Sequence, residues 1–299
     1  MCTFTRAKVL WSQVHFISYT LYWCAMRCGN GESLNRRTKV QQQWLDSLPI
    51  HGVIKAEPLL RGVANSVYKI TTTSATYVLK QFRFDHPYGL DRDQEVDVQR
   101  QLAQQQLAPE VLHYDQAQGL LLQSFLPGQD LAHTSLPMVD KLRELAEVSA
   151  HIHQVSIVAP VWSLRERLVR YCDELARFDA ERAKQFEKRL MSFRKLLDSF
   201  ATHPVFCHND LGFHHVFLTP TPRVIDWEYS GLGERYFDLA NTIAVNQLDL
   251  PHRNAFLNAY EAEAGVTLQR DLLEQWLQLV DVVNQLWYEL HHYLQRISD

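Results

Sequence analysis

The chain has few cysteines, no unbroken apolar run of membrane-spanning length and no excess of positive charge, and each of these absences excludes something. Its five cysteines, Cys2, Cys24, Cys28, Cys172 and Cys207, do not make up a metal-ligand set. Three of them crowd the first thirty residues, which argues against a disulfide framework and for a reducing compartment, the cytoplasm. Lys+Arg 30 against Asp+Glu 34 gives a formal net charge of -4, so no basic field draws the chain onto nucleic acid or an anionic membrane. A small-molecule partner is expected instead. The most apolar stretch, Val9 to Met26, follows Arg6 and Lys8 but is interrupted by Ser12, Gln13, His15, Ser18 and Thr20, and no clean small-x-small cleavage site follows it. It reads as neither a span nor a leader, and residues 1–35 are taken as an irregular extension outside the fold. What remains of the 299 residues suffices for two lobes, each with its own core, around a ligand cleft.

From Val53 the pattern is that of strands. "GVIKAEPLL", "SVYKITT" and "TYVLKQFRF" are separated by turn signals at Gly62 to Asn65 and Thr73 to Ala75, which predicts three short antiparallel strands. In the third, alternation sets Val78, Lys80 and Phe82 on one face and Tyr77, Leu79 and Gln81 on the other. A lone strand lysine is ordinarily a solvated charge on an open sheet face, and taken by itself Lys80 reads so. "DRDQEVDVQRQLAQQQLAPEV" predicts a helix that opens on acids, carries Glu95 near its start and stops at Pro109. A strand pair follows, Val111 to Tyr114 and Gly119 to Phe125, and then a hinge at Pro127 and Gly128. Beyond the hinge the period becomes helical, with Leu142, Leu145, Val148 and Ile152 at three- and four-residue steps. The charged stretch from Leu164 to Phe200 continues in the same mode. A small hairpin is predicted within Val205 to Asp226, and a last helical region runs from Leu272 to Arg296.

The chemistry-bearing residues lie at the two ends of that hairpin: "CHNDLGFHHVF" from Cys207 and "VIDWEY" from Val224. His208, Asp210, His214, His215 and Asp226 are a possible donor set for a metal-dependent phosphohydrolase. That reading explains the histidines but leaves Lys80, Glu95 and the strand-then-helix order as coincidences. A binding module without turnover is the third class. Phosphoryl transfer, by contrast, needs a lysine and a metal on the phosphates and a carboxylate to accept the hydroxyl proton, and the chain holds a candidate for each.

Taken in order, the Gly62-Val-Ala-Asn65 turn, Lys80, Glu95, His208-Asn-Asp210 and Asp226 resemble the small-molecule kinases that share the protein-kinase fold: aminoglycoside phosphotransferases, choline and ethanolamine kinases, and thiamine kinases. The resemblance covers about residues 53 to 295. It implies an α+β, two-lobed, protein-kinase-like fold, with a small antiparallel-sheet N-lobe bearing one helix at 36–126 and a larger, mainly helical C-lobe at 127–299. It further implies ATP and Mg2+ as cofactors. Lys80, braced by Glu95, would grip the nucleotide phosphates under the turn of Gly62 and Asn65. Asp210 would be the catalytic base, Asp226 a metal ligand and His208 a shaper of the loop. One departure stands out. Where the family loop H-x-D-x-x-x-x-N places a metal-holding asparagine, this chain has His215, and imidazole suits transition metals better than it suits Mg2+.

The run "DWEYSG", followed by "GERYFDLAN", resembles the choline and thiamine kinase branches, which implies a cationic alcohol as substrate. Glu228, Tyr229, Trp287 and Glu289 are then the candidates around its head group, because aromatic faces and a nearby carboxylate stabilise a quaternary ammonium or thiazolium. Trp276 reads as core, and Asp238 and Asn241 as residues that cap and pin a helix. "YFDLAN" favours choline and the closing helix favours thiamine. An aminoglycoside, another small alcohol, or nucleotide binding without turnover stay as alternatives.

Overall fold

The computed structural model describes residues 40–61, 65–83, 85–198 and 204–298. The extension assigned to residues 1–35, and Gly62 of the expected phosphate turn, lie outside the described residues. Five strands, β1 (Val53–Arg61), β2 (Asn65–Thr72), β3 (Thr76–Phe82), β4 (Val111–Asp115) and β5 (Leu120–Ser124), form one antiparallel sheet in the order β1-β2-β3-β5-β4. The period-two pattern of β2 accounts for its place, since Tyr68 and Ile70 are buried while their neighbours are partly open. β3 lies between β2 and β5, and its register sets Lys80 opposite Val67 on one side and Leu121 on the other. A short helix α1 (Gln42–Ser47) brings Trp44 edge-on to Tyr68 of β2, with ring centroids 6.3 Å apart.

After the brief turn of helix α2 (Asp85–Tyr88) comes α3 (Arg92–Gln104), capped by Asp91, whose carboxylate accepts from the Gln94 amide at 3.1 Å. Val96 of α3 packs with Phe82 and Leu121, and this contact turns Glu95 toward the sheet lysine. The helix ends before the proline expected to stop it. Gln106 adopts a left-handed φ of 59°, Leu107 donates to the Leu102 carbonyl and Gln106 donates to the Ala103 carbonyl. That is a Schellman closure, with glutamine where glycine is usual.

Beyond Gly128, which has a φ of 120°, the chain is mainly helical: α4 (Met138–Gln154), α5 (Leu164–Ala176), α6 (Ala180–Met191), α7 (Arg194–Asp198), α8 (Arg235–Val245), α9 (Leu250–Ala264) and α10 (Arg270–Ser298). The charged stretch from 164 is helical, as its period predicts, and is divided into three helices. Asp179 starts the second of them by accepting from the Arg182 amide at 2.9 Å. Leu145, Ile152, Leu239, Phe256, Tyr260, Leu279 and Leu286 are fully buried in the core of this lobe. Trp276 belongs to that core, edge-on to Phe237 at 6.1 Å. Two small strand pairs carry the chemical loops: β6 (Val205–Cys207) with β9 (Gly231–Gly233), and β7 (Val216–Phe217) with β8 (Arg223–Val224). The lobes are stitched where Val224 donates to the Leu107 carbonyl at 2.7 Å. Among the described residues no helix is long and apolar enough to cross a membrane.

Gly231 is a sensitive point in this scaffold, because it pairs with Cys207 just ahead of the loop of His208 to Asp210. A Cβ there would lie 2.9 Å from the Pro160 carbonyl oxygen and 2.9 Å from the Trp162 Cβ, whereas at Gly233 the nearest atoms are 3.8 Å away. Gly231→Ala is therefore expected to lose about 1–3 kcal/mol by overpacking, and Gly233→Ala distinctly less. Urea denaturation of the two variants checks the order, and equal midpoints would show that the 160–162 segment yields freely.

Candidate active site

Lys80 is not the solvated strand lysine that its isolated position suggested. Its residue is 8 % exposed, and Nζ donates to Glu95 Oε1 at 2.9 Å and to Asp226 Oδ1 at 2.6 Å. Period-two alternation assigns a residue to a face; it does not say which face another lobe will cover. Burial works against the charged ammonium, but Asp226 and then Glu95 outweigh it and hold Lys80 above the ordinary lysine range. For Asp226, burial likewise opposes charge, while Lys80 chiefly keeps the carboxyl well below its usual value. The pair is ionised on both sides at neutral pH.

The loop that carries Asp210 is held by its neighbours in a conformation it would not adopt alone. Asn209 has a φ of 64° and Asp226 a φ of 70°, left-handed backbone that costs a non-glycine residue about 1–3 kcal/mol. The Asn209 amide donates to Asp238 Oδ1 at 2.5 Å, its carbonyl accepts from Asn241 at 2.7 Å, and its side chain donates to the Tyr229 carbonyl at 2.8 Å. Asp238 and Asn241 thus pin this loop rather than cap a helix; the cap of α8 is Glu234, which accepts from the Tyr236 amide. The second oxygen of Asp238 meets His153 Nε2 at 2.8 Å, and His153 Nδ1 meets the Tyr260 hydroxyl at 2.7 Å. Cys207 lies beside this pair, but both imidazole nitrogens are engaged, so the cluster serves as a brace for the loop.

Asp210 itself is half-buried, and among the described residues its carboxylate accepts no hydrogen bond. Burial first, then the charges of Asp226, Glu228 and Asp238, push its pKa well above the usual carboxylate range. His208 is fully buried, with Nε2 on the Ile225 carbonyl at 3.0 Å and Nδ1 accepting from the Asp210 amide at 3.2 Å. His215 places Nδ1 2.8 Å from the Asp210 carbonyl and Nε2 3.8 Å from Asp226 Oδ2, and burial pulls its pKa down to about 4. The carboxylates of Asp210 and Asp226 fit a hard dication such as Mg2+; the neutral imidazole of His215 does not share that hardness.

Sequence reasoning missed Arg92. It is 7 % exposed and spans the site: Nη1 donates to Glu95 Oε2 at 2.5 Å and to Glu228 Oε2 at 3.0 Å, Nη2 to Asn65 Oδ1 at 3.1 Å, and Nε to Asp85 at 2.6 Å. Asn65 closes the ring by donating to Glu228 Oε2 at 2.9 Å. The one available signal was an arginine opening a helix, where acids are favoured, three residues before Glu95. Glu228 consequently joins the lobes, with one carboxylate oxygen already taken by Asn65 and Arg92.

Of the other residues expected at the head group, Tyr229 and Trp287 come together, with Trp287 Nε1 donating to the Tyr229 hydroxyl at 3.2 Å. Trp287 also stacks on Tyr88 at 5.5 Å and on His291 at 5.0 Å. Glu289 pairs instead with Arg182 of α6 at 2.5 Å. A cavity of about 270 Å³ between α3 and α5 is lined by Glu95, Trp162, Arg167 and Glu228 but not by Asp210, Tyr229 or Trp287, so it is not the place of a phosphoryl acceptor beside Asp210.

A sheet lysine braced by a helix glutamate, over a helical lobe whose loops carry two aspartates, defines the small-molecule kinases of protein-kinase-like fold. The profile of the Phosphotransferase enzyme family matches residues 55–276, and the chain belongs to that family. Ethanolamine kinase 1 of Mus musculus is 26% identical over 210 residues, covering 63% of this chain and 54% of that protein, so the chain spans about half the length of that relative. The crystal structure of the choline kinase LicA from Streptococcus pneumoniae superposes with a TM-score of 0.68 at 19% identity, covering 81% of this chain and 87% of that one. A choline/ethanolamine kinase family protein from Mesorhizobium loti does so at 0.66 and 18%, covering 86% and 87%. These likenesses show the protein-kinase-like fold.

Arg92→Ala would strand Glu95 and Glu228 in a buried site without their shared cation. A loss of about 3–5 kcal/mol in urea denaturation is expected, with Arg92→Lys recovering only part because an ammonium cannot fork to several acceptors. An unchanged midpoint for Arg92→Ala would show that the interlobe network contributes nothing.

Proposed function

We propose that the protein transfers the γ-phosphate of ATP to the hydroxyl of a small cationic alcohol of the choline, ethanolamine or thiamine class. The observation that carries this reading is Lys80 bonded at once to Glu95 and Asp226, beside the carboxylate of Asp210, which accepts no hydrogen bond among the described residues and is held above the usual carboxylate range by burial first and then by the charge of Asp226. Lys80 holds the phosphates, and Glu95 keeps the ammonium aimed. Asp226, with His215 beside it, would hold a divalent cation, Mg2+ by family resemblance, which screens the phosphate charge when bound. Asp210 takes the proton of the substrate hydroxyl as that oxygen bonds to the γ-phosphorus and ADP leaves, and a carboxylate of raised pKa is a better base for the task.

Tyr229 and Trp287 form the wall against the head group. Glu228 acts there through its field, having one oxygen bound to Arg92 and Asn65; burial chiefly raises the pKa of the Tyr229, Tyr171 and Tyr88 hydroxyls, and the charge of Glu228 adds to it. Aromatic faces in a negative field suit a quaternary ammonium or a thiazolium. Glu289, tied to Arg182, stands at the margin. The metal-hydrolase reading loses His208 as a ligand, since both its ring nitrogens are engaged with backbone. The reducing compartment inferred from the cysteines fits the buried free thiols of Cys172 and Cys207 and a cytoplasmic kinase.

A coupled ADP-release assay over choline, ethanolamine, thiamine, homoserine and an aminoglycoside is expected to show turnover with a cationic alcohol. Nucleotide binding without ADP release from any of them would instead identify a binding module. Asp210→Ala should cut kcat by about 10²–10⁴-fold with nucleotide affinity nearly unchanged; full activity in that variant removes Asp210 as base. A base of raised pKa keeps its proton to higher pH, so kcat/KM should fall on the acid side above the ordinary carboxylate range. Glu228→Gln removes one of the charges responsible, and the acid limb should move to lower pH; a limb that stays in place would assign it to another group.

A further inference from the structure

Asp226 divides its two oxygens. Oδ1 takes the Lys80 ammonium at 2.6 Å, and Oδ2 lies 3.8 Å from Nε2 of His215. His215 is 6 % exposed, with its ring stacked on His208 at 5.6 Å and flanked by His214 at 3.9 Å, so it has little room to turn. Two groups compete for its Nδ1: the Asp210 carbonyl oxygen at 2.8 Å, which needs a proton on that nitrogen, and the Gly212 amide, which donates toward it from 3.3 Å; the shorter contact governs. Donation to that carbonyl puts the proton on Nδ1 and leaves the Nε2 lone pair toward Asp226. The opposite tautomer would set a lone pair on Nδ1 against that carbonyl at 2.8 Å, and its Nε2 proton would lie too far from Asp226 Oδ2, at 3.8 Å, to bond it. A backbone carbonyl on the far nitrogen is how metal-ligating histidines are oriented. A nitrogen and an oxygen donor at 3.8 Å can share one ion at bond lengths of roughly 2.1 Å, with a wide angle at the ion.

We propose that His215 Nε2 and Asp226 Oδ2 together bind a first-row transition-metal dication of the Mn2+ class, and that the site therefore prefers such an ion to Mg2+. An imidazole in place of a neutral amide oxygen adds nothing for Mg2+, which takes oxygen ligands and dehydrates reluctantly. For Mn2+ and the ions above it in the stability order a nitrogen donor strengthens binding. The use of the ion in catalysis rests on the phosphotransferase reading; its binding does not.

The test is pulsed electron paramagnetic resonance of the full-length protein with Mn2+ and inorganic tripolyphosphate, a partner that brings no nitrogen of its own. Hyperfine coupling to a directly bound imidazole nitrogen is expected in the unaltered protein and should vanish in His215→Asn. In that variant the Mn2+ dissociation constant should rise about tenfold or more, and Mg2+ should displace Mn2+ at lower concentration. Bound Mn2+ without nitrogen coupling, or no Mn2+ binding, overturns the proposal on the unaltered protein, whether or not the variant folds. Unchanged Mn2+ affinity in a folded His215→Asn does the same. ADP release supported by Mg2+ together with absent nitrogen coupling leaves the kinase reading standing and removes this one. Nitrogen-coupled Mn2+ in a protein that releases no ADP supports this proposal and removes the kinase.

Discussion

A buried ammonium held between carboxylates of two lobes is the constraint on which the rest of the structure depends. Lys80 comes from the central strand, Glu95 from the helix packed on the sheet and Asp226 from the far side of the cleft. Taking such a cation out of water costs several kcal/mol, and the cost is met only if both acids keep their places. Those places are fixed by apolar contacts: Val96 against Phe82 and Leu121 sets Glu95, and the strand register sets Lys80. Arg92 repeats the design, gathering Asp85, Glu95, Glu228 and Asn65 around one guanidinium. The cleft is closed by ions on the inside, while hydrophobic packing in each lobe supplies the rigidity that ion pairs need in order to be favourable.

The opposing strain sits in the helical lobe. Asn209 and Asp226 are both in left-handed conformations that non-glycine residues avoid, and each adjoins a functional carboxylate or carries one. The conformation persists because Asp238 and Asn241 take up the Asn209 backbone groups, and because His153 and Tyr260 in turn hold Asp238. Tyr260 is fully buried in the lobe's core, so the brace runs from packed hydrophobic interior through a polar chain to the loop. Stability made by burial is thereby used to aim a carboxylate.

Much of this was legible in the chain. Period-two and helical stretches laid out the strand-then-helix order, and resemblance to the small-molecule kinases singled out the lysine, the glutamate and the two aspartates. What escaped were properties that local pattern does not encode. The burial of Lys80 depends on what covers its face. Arg92 looked like an ordinary charge at a helix start, and its partners are far away in sequence. The end of α3 is set by Gln106 in a conformation usually left to glycine, so the later proline drew the boundary too far. Asp238 has the residue type of a helix cap, but its acceptors face a loop twenty-nine residues earlier. Glu228 and Glu289 read as free anions because nothing nearby in sequence announces Arg92 and Arg182 as partners.

The tetrapeptide from Asp226 to Tyr229 shows how tightly these roles are joined. Asp226 turns to the lysine; Trp227, 1 % exposed, goes into the core against Phe206 and His208 and donates to the Val224 carbonyl. Glu228 turns to Arg92 and Asn65 of the other lobe, and Tyr229 to Trp287 of the last helix. The left-handed turn at Asp226 begins this alternation, so four consecutive side chains reach the sheet lysine, the core, the opposite lobe and the last helix. Trp227 is the anchor of the set: its buried indole fixes the backbone from which the other three project. Lys80 of the sheet, Arg92 of α3 and Trp287 of the last helix are therefore all tied to one short segment, and a change at any of these contacts is felt on the same backbone.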